Sequence, residues 1–236
     1  MQHFDFFELF EEGIIVSEHD DLHSFSKRVE SIKKIPEVAF ENQLFHVKSA
    51  HAIVEKKKSL LPWFAALTSF SYQDEVVIPK IELSYFAPKE TLDHELIHAV
   101  RASMDDSIYE EFLAFEFSSG LRKKIGPLFF DAWEGNILVI SLLLSFFLPM
   151  IWMATLTLSL FFLIRLLATT ATYKKGLKEI ESFFKTTHPL SFALLLTQKE
   201  FEDFAKKQGH HVMHQIRRHF PLRFMQILSV QKALCS

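Results

Sequence analysis

The sequence predicts an α+β chain, predominantly helical, in three parts: a folded N-terminal domain over residues 1–124, a transmembrane hairpin or single long span over 125–173, and a helical C-terminal region over 174–236. Three observations predict it. Ile137 to Ile164 are 28 consecutive residues without a charge, where about 20 suffice to cross a bilayer as a helix. On either side of that run, apolar residues recur at the three-four spacing of amphipathic helices. Residues 75–86 are β-branched and partly alternating, the pattern of one or two strands.

Taken in order, Phe4, Phe6, Phe7 and Phe10 are expected as packing residues of the first segment. Acids at Asp5 and Glu8 stand where a secretory signal carries basic residues and then an apolar run, so no cleavable signal is expected. Residues 20–58 predict helices separated by Pro36, with Leu22, Phe25, Val29 and Ile32 on one face. In the strand region, Pro79 is expected to confine its segment to an edge or a turn. For the apolar run, one path is a single tilted span kinked at Pro149. The other is a hairpin of helices near 127–148 and 150–172, with Asp131, Glu134 and Arg165 at interfaces or facing protein. Arg122, Lys123 and Lys124 precede the run, and Lys174, Lys175 and Lys178 follow it. Basic residues collect on the cytoplasmic side, so this symmetry favours a hairpin with the N-terminal domain and the C-terminal tail both cytoplasmic. Beyond it, Phe183, Phe184, Phe201 and Phe204 are expected to pack helices together. His210 and His214 have metal spacing but no acid beside them, and predict a solvated or membrane-facing basic helix.

Composition narrows the function. A domain of about 120 residues can bury its own core, and the 26 Phe against 6 Gly supply packing material rather than flexible linker. Net charge is −3 with scattered basic residues, so the electrostatic footprint of a nucleic-acid binder is missing. The lone Cys235 allows no intrachain disulfide, in keeping with a domain facing the cytosol.

The chemistry centres on His94-Glu95-Leu96-Ile97-His98. Two histidines four apart on a helix project from one face, so His94 and His98 can offer imidazole nitrogens to one ion. Glu95 sits about 100° round the helix from His94, placed to act as general base without being a ligand. Zinc in such a site lowers the pKa of a bound water to about 7 and polarises a scissile carbonyl, which suits peptide hydrolysis. Leu96, Ile97 and Val100 form the face that buries this helix, which Thr91 or Pro88 could start. Lys89, Glu90, Asp93, Arg101, Asp105 and Asp106 surround the motif, so the chemistry is expected outside the bilayer but close to it.

The stretch Thr91 to Val100 resembles the longer signature of the zincin metallopeptidases, with uncharged residues at Leu92, Leu96, Ile97 and Ala99 and an apolar one at Val100. The resemblance implies a small zincin-like domain, a Zn2+ cofactor and a protein or peptide substrate. It also implies a third ligand. The metzincin branch needs Gly and His soon after the second histidine, whereas no His follows until His188. The gluzincin branch takes a Glu from a second helix, and Asp105-Asp106-Ser107 looks like the cap of one running through Glu110, Glu111 and Glu116. Glu111, which opens a Glu-x-x-Ala element, is the expected third ligand, with Glu110 and then Glu116 in reserve. Several gluzincin families carry an Asp four residues after that Glu. Phe115 stands there in this chain, so another group must orient a histidine. Tyr85, Tyr109 and Arg101 are candidates to stabilise an oxyanion, and Ile81 to Phe86 could be the edge strand that pairs with extended substrate.

A competing expectation is a non-catalytic membrane-anchored scaffold whose apolar hairpin is the functional part. A bilobed hairpin with both flanks on one side resembles the inclusion membrane proteins of intracellular bacteria.

Overall fold

The computed structural model describes residues 4–41, 44–57, 66–73, 76–88, 90–104, 108–117, 127, 132–148 and 150–235. Helices α1 (Phe6–Glu11) and α2 (Leu22–Ile32) come first, followed by strands β1 (Glu37–Ala39), β2 (Ser49–His51), β3 (Ile53–Lys57), β4 (Ala66–Gln73) and β5 (Val76–Ser84). Then come α3 (Glu90–Arg101), α4 (Ile108–Phe115), α5 (Ala132–Phe147) and α6 (Ile151–Phe184). The chain closes with α7 (Pro189–Ala193), α8 (Gln198–Ala205), α9 (Gly209–His219) and α10 (Pro221–Leu234). This is an α+β architecture in which helices predominate.

The helical start at α2 follows from Asp21, whose side chain accepts from the Ser24 amide at 2.7 Å while the Ser24 hydroxyl accepts from the Asp21 amide at 2.9 Å. Past Pro36 the helical expectation for the stretch up to residue 58 fails. Glu37–Ala39 pairs antiparallel with Ser49–His51, and Ile53–Lys57 joins a second sheet. Only Leu22 to Ile32 keeps helical spacing. Thereafter the apolar residues that become buried, Phe40, Phe45, Val47, Ala50 and Ala52, follow no helical period.

The larger sheet has the order β3-β5-β4, with β3 parallel and β4 antiparallel to β5. Ile81 to Ser84 therefore lie in the central strand, not at an edge as expected; among the described residues the edges are β3 and β4. Pro79 fits inside β5 because β3 begins opposite Lys80, one residue further on. At Pro79 the β3 side of β5 is open, so its missing N–H costs no bond to β3.

α3 packs across this sheet and β2. Leu96 and Ile97 are completely buried, each contributing about 1.5–3 kcal/mol of hydrophobic stabilisation. Gly13 lets the chain pass under α3: its φ is +73°, and a Cβ there would stand 2.5 Å from the Ser49 carbonyl oxygen and 3.0 Å from Val100. The core that receives α3 also takes in Phe184, Leu195, Ile216 and Val230 from the far end of the chain. Polar contacts seal the same junction. Gln226 accepts from the Val16 amide at 2.8 Å and donates to the Ile14 carbonyl at 2.9 Å, and Ser191 donates to the Phe45 carbonyl at 2.7 Å. Buried Phe184, Phe201 and Phe204 pack as expected, and α9 turns Val212 and Ile216 inward while His210, His211 and His214 face solvent.

α5 and α6 pack on each other as a helical hairpin, with the Thr155 hydroxyl donating to the Ser141 carbonyl at 3.3 Å. Pro149 and the segment that carries Arg122, Lys123 and Lys124 lie outside the described residues. α6 is long and apolar enough to cross a membrane, whereas the apolar part of α5 is shorter. The second arm does not stop near 172, because α6 runs unbroken to Phe184. Of the large hydrophobic side chains exposed in the structure, most belong to residues 137–167 of this hairpin.

Candidate metal centre

α3 starts at Glu90, with the Thr91 amide donating to the Pro88 carbonyl at 3.0 Å. Its helical turn sets the His94 and His98 rings side by side, 5.3 Å apart and nearly perpendicular. α4 then returns alongside α3 and presents Glu111 to both: Oε2 lies 3.7 Å from His94 Nε2, and Oε1 lies 3.4 Å from His98 Nε2. One ligand atom from each of the three residues falls within 4.8 Å of the others. Zinc bonds of 2.0–2.2 Å in a tetrahedron set neighbouring ligand atoms about 3.4 Å apart. Two imidazoles and a carboxylate, partly open to solvent, fit such an ion in both spacing and chemistry.

Of the two reserves, Glu110 has a different task. Its Oε1 lies 2.6 Å from His98 Nδ1, and its Oε2 accepts from Arg101 Nε at 3.0 Å. Burial pushes the Glu110 carboxyl upward, but the His98 hydrogen bond and the Arg101 and His98 charges pull it below the ordinary carboxylate range. An ionised carboxylate only accepts, so Nδ1 of His98 carries the proton and Nε2 is left facing Glu111. For His98 itself, burial lowers the pKa, but the Glu110 hydrogen bond and the charges of Glu110, Glu111 and Glu95 raise it to about 9. Glu116 stands outside the cluster, beside Tyr173. Asp105, Asp106 and Ser107, expected to cap α4, lie outside the described residues.

Glu95 is buried, and its Oε2 accepts from the Thr68 hydroxyl of β4 at 2.5 Å. Asp93, fully buried one residue before His94, accepts from the Glu41 amide at 2.9 Å and ties the loop after β1 to α3. Phe115, in the place of the Asp of several gluzincins, lays its ring 5.1 Å from His94 and fixes that imidazole by packing.

No known family, curated protein or solved structure matches this chain.

The oxyanion candidates do not assemble. Arg101 is fully buried, its Nε donating to Glu110 and its Nη1 to the carbonyls of Leu194 and Leu196, at 2.7 and 3.1 Å. Tyr109 is buried against Phe201, 4.6 Å between ring centres, and burial with the nearby Glu202 charge pushes its phenol up to about 12. Tyr85 is exposed on the turn after β5. Sequence reasoning missed Thr68 and the carbonyls that hold Arg101, since both contacts join residues far apart in the chain. Glu110 as the partner of His98 left a faint signal: two adjacent acids opening α4, when one ligand needs only one.

Proposed function

We propose that this chain is a zinc-dependent peptidase, anchored to a membrane by α5 and α6, that hydrolyses peptide bonds in a protein or peptide substrate close to the membrane surface. The observation that carries the proposal is the convergence of His94 Nε2 and His98 Nε2 on the two oxygens of Glu111, with Glu110 gripping the opposite nitrogen of His98. Bound there, zinc supplies Lewis acidity and acidifies an attacking water. Glu95, held by Thr68, takes the proton from that water and hands it to the leaving amine. β4 has an open edge among the described residues and touches Glu95 through Thr68, so it is the strand on which extended substrate would align. Membrane proximity is supported by α4, whose Phe112 ring stacks 4.9 Å from Tyr173 of α6.

The test is metal analysis and peptide cleavage by the purified full chain. About one zinc per chain is expected, lost in His94→Ala. Glu95→Gln should keep the zinc and lose cleavage by about 10²–10⁴-fold. Zinc-free protein whose folding is unchanged by His94→Ala would overturn the proposal and favour the scaffold.

A further inference from the structure

We infer that the α5–α6 hairpin ends near the midplane of a lipid bilayer, inserted through one leaflet, rather than crossing to the far side. The inference rests on the membrane anchoring proposed above and not on the metal chemistry.

The depth follows from one ion pair. Arg165 of α6 donates from both terminal nitrogens to both oxygens of Glu134 of α5, each at 2.6 Å, and closes the base of the hairpin. No charged residue lies between them in sequence. From Arg165 to Ile151, α6 rises about 21 Å, and from Glu134 to Phe147, α5 rises about 20 Å. A hydrocarbon core is about 30 Å thick, with headgroup layers of roughly 5–7 Å on each side. With the charged base among the headgroups, the tip reaches about 14–16 Å into hydrocarbon, which is the midplane.

Crossing would require about six more residues of α6 beyond Arg165 to enter the lipid. The first of them, Leu166, is buried in the core that also holds α3 and α4, and so is Tyr173 two residues past the sixth. Above them the exposed Lys174, Lys175 and Lys178 suit an anionic headgroup surface on the same side.

The tip has the composition of a buried end. Phe146, Phe147, Met150 and Met153 are 77%, 81%, 91% and 72% exposed, and between Phe146 and Met153 the only side-chain nitrogen or oxygen is the indole nitrogen of Trp152. A loop emerging into water on the far side has no reason to be so apolar. Within the hairpin, Ser141, Ser145, Thr155, Thr157 and Ser159 each donate to a carbonyl of their own helix, at 2.6–3.1 Å, so their hydroxyls need no water.

The test uses the full chain with Cys235→Ser, reconstituted in sealed phosphatidylcholine–phosphatidylserine vesicles. Met150→Cys marks the tip and Lys178→Cys marks the domain side; both side chains are exposed, so folding is not at stake. A membrane-impermeant maleimide should label Lys178→Cys from its own side. It should label Met150→Cys about tenfold less or worse from either side until detergent is added. A fluorophore at Met150→Cys should be quenched most by nitroxides near the ends of the acyl chains. Labelling of Met150→Cys from the side opposite Lys178→Cys would show a crossing hairpin and overturn the inference. Labelling of both from the same side would show a tip in water and overturn it equally. Neither outcome bears on zinc or cleavage.

Discussion

Arg165–Glu134 and Arg101–Glu110, two of the arginine–glutamate pairs drawn into the protein, are built differently. At the base of the hairpin, Arg165 and Glu134 meet fork to fork, and that geometry neutralises both groups on each other. In the domain, Glu110 divides its oxygens between Arg101 and His98, and Arg101 turns Nη1 to the Leu194 and Leu196 carbonyls. Glu95 and Glu111 act on the same His98. With both imidazoles neutral, three carboxylates against one guanidinium leave two negative charges around His98, the complement of a divalent cation. A closed pair fastens two helices, whereas the open one, in the function proposed above, prepares a metal site.

The largest expected effect breaks the open pair. Arg101→Ala leaves Glu110 buried without its cation and frees two carbonyls, and should cost about 3–5 kcal/mol in urea unfolding. Replacing both members of the closed pair, Arg165→Met with Glu134→Leu, should be nearly neutral or stabilising, with zinc content unchanged. If the double replacement in the hairpin removed zinc, the two pairs would not be independent.

Next in size is the grip on the ligand. Glu110→Gln removes the charge that fixes the His98 tautomer and should weaken zinc binding by about 10–100-fold in a competition titration. Glu134→Gln should leave that affinity unchanged. Equal effects from the two substitutions would erase the distinction between an orienting carboxylate and a fastening one.

A pH dependence follows from the same charges. His98 is lifted from 6.5 to about 9 in the metal-free fold, so its protonation adds stability in full below pH 6.5, and that contribution fades as pH rises through 9. Chelated protein should accordingly lose this increment between pH 6 and pH 10 in thermal unfolding, and His98→Gln should flatten the trend. Zinc must displace the same proton, so its apparent affinity should fall about tenfold per unit as pH drops below 9. An affinity independent of pH between 6.5 and 9 would mean that His98 is not a ligand.

The local parts of this design are legible in the sequence, and the long-range parts are not. His94 and His98 meet because helical geometry fixes residues four apart, and Glu111 stands in the next helix, so one short turn brings it back. The apolar segment is legible because 28 residues run without a charge, and its hairpin form is favoured only by the basic residues on both flanks. By contrast, β1 and β2 are three residues each and owe their existence to each other, so no period announces them. Arg101 looks like a catalytic cation beside the motif; only carbonyls more than ninety residues away turn it into a buried brace.

The smallest expected effect concerns the most distant of these contacts. Thr68 lies 27 residues before Glu95 and reaches it because β4 runs beside α3. Thr68→Val keeps the β-branched shape that suits the strand and removes only the hydroxyl. A hydrogen bond to a charged group is worth about 1.5–3 kcal/mol, part of which water can replace at this half-open strand. Cleavage should therefore fall by about tenfold, with zinc content and unfolding midpoint unchanged. A loss as large as that of Glu95→Gln would mean that the hydroxyl touches substrate itself. An unchanged rate would mean that α3 alone aims Glu95, and that β4 contributes only its open edge.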